Sequence, residues 1–182
     1  MVKNARWIFA LLLALAVVSC SKPPPQPAPS TIVLLVRHAE KASDAEDSPL
    51  TEAGTQRSQA LVRVADAAGV SAIYTTQFKR NRDTAQPLSE RLKIAVTESP
   101  IKDIQNPGDY AKTLAREITE KHAGQTVLVV GHSNTIPLML EALTGQPAPA
   151  DHAEYSDLFI VTVPPSGPAR LIKAQYGTGG PK

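Results

Sequence analysis

The sequence predicts a three-layer α/β/α sandwich around a mostly parallel sheet, closed by an antiparallel pair of strands. Three observations predict it. Two short, wholly apolar and largely β-branched runs, Val33-Leu34-Leu35-Val36 and Val127-Leu128-Val129-Val130, have the character of strands buried on both faces. The segments between the strand-like runs carry apolar residues at helical spacing and tend to end at glycine. The last two runs, Leu158–Val163 and Arg170–Gln175, are joined through Pro164-Pro165-Ser166-Gly167-Pro168, too short a connection for a parallel crossover.

Taken in order, the first strand stops abruptly at Arg37-His38. A helix opens at Leu50-Thr51-Glu52-Ala53-Gly54, where Thr51 can cap the first turn and Glu52 complements the dipole. Leu61, Val64, Ala65 and Ala68 mark its apolar face and Gly69 closes it. Ala72–Thr75 reads as a strand, Lys79–Leu92 as a helix that Pro87 should kink or split, and Ile94–Thr97 as another strand. Asn106-Pro107-Gly108-Asp109 starts a helix with the stripe Ala111, Leu114, Ala115 and Ile118, ended by Gly124. The strand at 126–130 runs into Gly131-His132, and a helix over Ile136–Leu143 is stopped by Gly145 and Pro147. No internal repeat is present.

The first thirty of the 182 residues are unlike the rest. Lys3 and Arg6 precede a twelve-residue apolar core, Trp7–Val18, too short to span a bilayer and suited to a secretory signal. Its end, Val17-Val18-Ser19-Cys20, resembles the lipobox of bacterial lipoproteins, which implies a leader over 1–19 and lipidation at Cys20. Cys20 is the single cysteine, so no disulfide forms within the chain. Residues 20–30 hold five prolines and read as a semi-rigid spacer. Residues 31–182 then form one domain, of ordinary single-core size. Ser21 is not the acidic residue that favours inner-membrane retention. The expected location is therefore the periplasmic side, anchored in the membrane through Cys20, with the outer membrane preferred. Apart from Lys3 and Arg6, the chain carries 17 basic and 17 acidic residues, a balance that gives nucleic-acid binding no support.

Ligands of open α/β sheets bind at the carboxyl ends of the strands. Two strands deliver His38 and His132 to that edge, with Arg37 beside the first. Thr75-Thr76-Gln77-Phe78-Lys79-Arg80 also follows a strand and leads into a helix, so Arg80 reaches the same edge and can fork onto an oxyanion. Each motif alone is weak, and a lone histidine at a strand end is usually structural. Together they point to one anion site, with phosphate the first choice. His122, at a helix end, reads as a surface residue compensating the dipole. His152, in the polar loop 150–155, either rims the site or is solvated.

Arg37-His38-Ala39-Glu40, Leu50-Thr51-x-x-Gly54, Thr75-Thr76-x-x-x-Arg80-x-x-x-Thr84-Ala85 and Gly131-His132-Ser133 together resemble the histidine phosphatase superfamily, over about residues 32–143. The resemblance implies a nucleophilic His38 that forms a phosphohistidine. It implies that Arg37, Arg80 and His132 hold the phosphoryl oxygens. Positive charge from Arg37 and Arg80 should lower the pKa of His38 and keep it neutral. No metal or other cofactor is implied. The general acid is expected just past the third strand, with Asp103 the first choice and Glu98 the second. Ser133 occupies the position where the acid-phosphatase branch keeps its acid, so that variant is disfavoured. Ala39 stands where mutases carry glycine, and the mutase continuation is absent, so hydrolysis is favoured over mutase activity. Glu40 and Lys41 either touch substrate or form a surface ion pair. Two other readings stay open: a metal-dependent hydrolase with His38, His132 and Asp103 as ligands, and a non-catalytic phospho-ligand-binding lipoprotein. The expected partner is a phosphorylated small molecule or a phosphoprotein, its identity open.

Overall fold

Strand and helix alternate from the first described element almost to the last. In chain order they are β1 (Thr31–Arg37), α1 (Glu52–Ala67), β2 (Val70–Thr75), α2 (Lys79–Leu92), β3 (Val96–Glu98), α3 (Gly108–Lys121), β4 (Thr126–Gly131), α4 (Thr135–Thr144), β5 (Asp157–Val163) and β6 (Arg170–Gln175). A computed structural model describes residues 28–149 and 153–177. The expected leader, Cys20, the spacer through residue 27, and His152 lie outside the described residues.

The six strands form one sheet in the order β3-β2-β4-β1-β5-β6. β3, β2, β4 and β1 are parallel, while β5 runs antiparallel to β1 and β6 antiparallel to β5. The mostly parallel α/β fold with an antiparallel C-terminal pair is therefore the observed one. Alternation along the central strands makes two cores. Val33, Leu35, Val127 and Val129 pack with Leu114 and Ile118 of α3 and Ile136 and Leu140 of α4. Leu34, Val36, Leu128 and Val130 pack with Leu61 and Ala65 of α1 and Ala85 and Leu88 of α2. Strands with helices on both faces have no polar side, which is why their sequences read as continuous apolar runs.

Two local expectations need correction. Pro87 lies inside α2 and does not split it. Proline removes the N–H that would bond the Asp83 carbonyl, but Thr84, Ala85 and Leu88 are buried around it and their packing carries the helix through. β3 begins at Val96, not Ile94, because the chain is still leaving α2 there. Lys93 is left-handed, with φ of 57°, and the Ile94 amide donates to the Ser89 carbonyl at 3.1 Å.

Candidate active site

Sheet register creates the site. β1 and β4 are parallel neighbours in which Arg37 lies opposite Gly131, and the His38 amide donates to the Gly131 carbonyl at 2.9 Å. The next residue of each strand is a histidine, so the two imidazoles leave the sheet side by side, with ring centroids 5.4 Å apart. Gly131 is required by its surroundings, because a Cβ there would lie 2.8 Å from Thr135 Oγ1 and 2.9 Å from Ile136 Cδ1. That same Thr135 hydroxyl accepts from the His132 amide at 2.8 Å.

The segment after β1 is fixed from several directions. The Ala39 amide donates to Thr84 Oγ1 at 2.9 Å, and the Glu40 carbonyl accepts from the Thr51 amide at 2.8 Å. Gly54 lets the start of α1 press onto this segment, since a Cβ would sit 2.4 Å from the Glu40 carbonyl oxygen. The Glu40 carboxylate accepts from Arg57 Nε and Nη2 at 2.9 and 2.7 Å, and Arg57 Nη1 donates to the Tyr176 carbonyl at 3.0 Å. Burial alone would raise the Glu40 pKa, but the Arg57 hydrogen bonds outweigh it and hold the carboxyl below its usual range. Glu40 is thus an anchor of the loop, and the ion-pair reading of that residue is the one observed.

His38 is 4 % exposed and its Nδ1 lies 2.8 Å from the Ala39 carbonyl oxygen. A carbonyl only accepts, so Nδ1 carries the proton and Nε2 keeps its lone pair. His132, 8 % exposed, has its Nε2 2.9 Å from Thr76 Oγ1 and meets the Phe78 ring edge-on at 5.2 Å. Burial depresses both rings, His38 to about 4 and His132 to about 3. Arg80, Arg37 and Lys41 add to the effect on His38, while its hydrogen bond to Ala39 opposes it. Neutrality of His38 was expected from cationic neighbours; burial is the larger cause.

Both guanidiniums are held by one arm. Arg37 stacks on Tyr155 at 3.9 Å and donates from Nη1 to the Ala153 carbonyl at 3.2 Å. Arg80 stacks on Phe78 at 4.4 Å and donates from Nη1 to the Glu46 carbonyl at 2.8 Å. The buried Nε atom of each has no hydrogen-bond partner among the described residues. Buried donors ordinarily are paired, so two unpaired guanidinium N–H groups beside two neutral imidazoles form a receptor for an anion. Arg37, His38, Lys41, Arg80 and His132 share one cleft of about 400 Å³.

Four of the expected residues therefore converge, and Lys41, tied to Asp44 at 2.6 Å, joins them. Asp103 is not brought to that cleft: it lines a neighbouring cavity, and its Oδ1 accepts from the Gln105 and Asn106 amides at 3.1 Å each. Glu98 lies within 3.6 Å of Arg82 instead. Among the described residues no group of three metal-ligating side chains occurs. His122 caps α3 and bonds Tyr74 through Nε2 and Gln125 through Nδ1, a structural tie.

Sequence reasoning placed Thr76 and Phe78 at this edge without giving either a role, and it passed over Asn81. Asn81 is fully buried and donates to the Val130 and Gly131 carbonyls at 2.9 and 3.0 Å, joining α2 to the end of β4. A polar residue next to Arg80 in a strand-to-helix turn was the available signal for it. Tyr155 belongs to the loop 150–155, expected either to rim the site or to be solvated, and it meets Arg37 where the chain leads into β5.

Fold and cleft together define an α/β protein in which two histidines and two arginines meet in one cleft at the carboxyl edge of the sheet. Residues 33–101 match the model of the histidine phosphatase superfamily, branch 1. Over that span the chain is similar to that superfamily. No curated protein matches it in sequence. Similar solved structures include an Escherichia coli K-12 chain described as a candidate alpha-ribazole-5'-P phosphatase, 16 % identical, with 82 % of this chain and 97 % of that one covered and a TM-score of 0.65. Mycobacterial glucosyl-3-phosphoglycerate phosphatase Rv2419c in complex with VO3 is 16 % identical over 81 % and 99 %, with a TM-score of 0.62. The protein histidine phosphatase SixA in complex with tungstate is 20 % identical over 79 % and 96 %, with a TM-score of 0.60. Likeness at this identity speaks for the fold.

Proposed function

We propose that the protein hydrolyses phosphate monoesters through a phosphohistidine on His38, without a metal. The observation that carries this reading is the pairing of a free imidazole Nε2 with the unpartnered, buried Nε–H groups of Arg37 and Arg80 in one cleft. In the first step His38 Nε2 attacks phosphorus, the P–O bond to the leaving group breaks, and the leaving oxygen takes a proton from water. Arg37, Arg80 and His132 hold the three equatorial oxygens, where fixed donors in a water-poor site stabilise developing charge most. Water then attacks phosphorus, the P–N bond breaks, and neutral His38 and inorganic phosphate are released. Activity in chelator, a phosphoenzyme that is acid-labile and alkali-stable, and loss of both in His38→Ala are the expected results. Turnover at the unmodified rate in His38→Ala would remove the assigned nucleophile.

A second reading is phospho-ligand binding without turnover. It is favoured by one observation: among the described residues no carboxylate lines the cleft to protonate a leaving group. Tight phosphate binding with no hydrolysis across a panel of esters would select it. We also propose that Cys20 is lipidated and that the 31–182 domain works outside the cytoplasm, tethered by the proline-rich spacer. Incorporation of labelled palmitate that disappears in Cys20→Ser tests the anchor.

A further inference from the structure

Two large apolar side chains are exposed among the described residues, Ile104 at 51 % and Ile172 at 60 %. Ile172 lies on the edge strand β6, whereas Ile104 lines the cleft that holds the two histidines. Its neighbours in that lining include Ile101 and Pro107, from the same segment between β3 and α3, and Phe78 from the turn before α2. The cations come from elsewhere, Arg37 and Lys41 from the end of β1 and Arg80 from α2. One cleft thus presents a cationic cradle contributed by the end of β1 and the start of α2, an apolar wall contributed mainly by one loop, and polar side chains from the turn after β4.

The wall is held in place. The Gln77 side chain clamps the Ile101 peptide from both sides: its Nε2 donates to the Ile101 carbonyl at 3.2 Å and its Oε1 accepts from the Ile101 amide at 3.0 Å. Two residues on, the Asp103 carboxylate accepts from the amides of Gln105 and Asn106 and closes a tight turn with Ile104 at its tip. An isolated exposed isoleucine is unremarkable. One carried on a turn with both sides tied, facing a phosphate-sized cradle, has a site to serve.

We infer that Ile104, backed by Ile101, contacts the leaving group, and that the substrate is a phosphate monoester of a predominantly apolar alcohol or phenol rather than a sugar phosphate or a bisphosphate. The inference rests on the phosphatase reading above and names its substrate class. The phosphoryl group sits in the cradle, and the organic part lies along the loop, where a polyhydroxylated or second anionic group would lose hydration against Ile101, Ile104 and Pro107, the polar side chains of the lining, Ser133 and Asn134, belonging to the turn after β4. Asp103 is then a positioning residue that acts through Ile104.

The test uses the full-length protein with two matched pairs of probes. Benzyl phosphate and 2-hydroxyethyl phosphate have leaving oxygens of similar basicity and differ chiefly in apolar area. Benzylphosphonate and 2-hydroxyethylphosphonate report the same difference as binding, with no bond to break. Apolar groups in enzyme pockets are worth ~10–200-fold, and because Ile104 covers one side of the ligand the low end applies. The benzyl probe should be favoured about tenfold in kcat/KM and in Kd, and Ile104→Ser should bring both ratios close to one, while Ile104→Leu keeps them. Equal phosphonate affinities in the unmodified protein, or a preference that survives Ile104→Ser, would overturn the inference. So would a collapse of inorganic phosphate affinity in Ile104→Ser, which would make the residue a prop of the cradle. Failure to turn over either ester, with the phosphonate preference intact, would instead sink the phosphatase reading and leave the apolar wall standing.

Discussion

Keeping two imidazoles neutral inside the cleft makes stability depend on pH in a defined direction. Burial holds His38 at about 4 and His132 at about 3, against 6.5 for the free ring. Below about pH 6.5 the unfolded chain takes up protons that the folded chain refuses. Stability from this source is therefore complete above pH 6.5 and falls as pH drops towards the two folded values. At about 1.4 kcal/mol per pH unit, the fall from about pH 7.5 to about pH 4.5 costs each ring on the order of 2–3 kcal/mol. The rings lie 5.4 Å apart and repel when charged, so the losses are shared rather than independent, and about 3–5 kcal/mol is expected for the pair. Urea denaturation followed by circular dichroism at several pH values measures it, with the double variant His38→Asn/His132→Asn as reference. All other groups are common to both proteins and cancel in the difference. The unmodified protein should lose about 3–5 kcal/mol more than the variant over that range. Parallel curves, agreeing within about 1 kcal/mol, would show that the histidines are not desolvated and that the neutral-nucleophile argument is wrong.

Other outcomes follow from the geometry. Gly54→Ala places a methyl group 2.4 Å from the Glu40 carbonyl oxygen. Overpacking of this kind costs ~1–3 kcal/mol, so the melting temperature should drop by several degrees and kcat should fall as the His38 segment is displaced; an unchanged protein would refute the close approach. Asp103→Asn keeps the oxygen that caps the 103–106 turn and should retain turnover within about twofold, whereas a general acid at this position would lose ~100-fold or more. Arg57→Ala leaves the Glu40 carboxylate without its bidentate partner. The pair is partly exposed, so the loss should be about 2 kcal/mol, below the ~3–5 for a fully buried pair, and calorimetric unfolding reads it.

Much of the cradle was legible because its residues are tied to features with a strong sequence signal. Apolar runs mark the strands, strand ends mark the edge, and Arg37-His38 and Gly131-His132 sit at equivalent places in adjacent strands. Thr51 as a cap, the stripe of α3 and Gly145 as the end of α4 follow from local rules and were found where expected. The split offered as one alternative at Pro87 does not occur, because local propensity leaves out the buried face of Ala85 and Leu88. Asp103 was nominated from its place after β3, yet the direction of a carboxylate in an irregular turn depends on which amides it finds, here Gln105 and Asn106. Tyr155 and the Ala153 carbonyl reach Arg37 across 118 and 116 positions of chain, a pairing no local pattern encodes.

That division has a physical origin in how the cleft is built. Its cationic side is produced by register: once Arg37 lies opposite Gly131, the following histidines must emerge together, and close packing at Gly131 and Gly54 keeps them there. A shift of one residue in β1 would turn every apolar side chain to the wrong core, so the geometry of the cradle is protected by the energy of the whole sheet. The apolar side is produced by a loop whose conformation depends on a few side-chain bonds, those of Gln77 and Asp103. Changes there leave both cores untouched, so the apolar wall can vary while the cradle cannot. Exchanging residues 99–107 for a loop with a polar tip should therefore alter which ester is preferred without altering inorganic phosphate affinity, and a parallel loss of both would show that the two sides of the cleft are not separable.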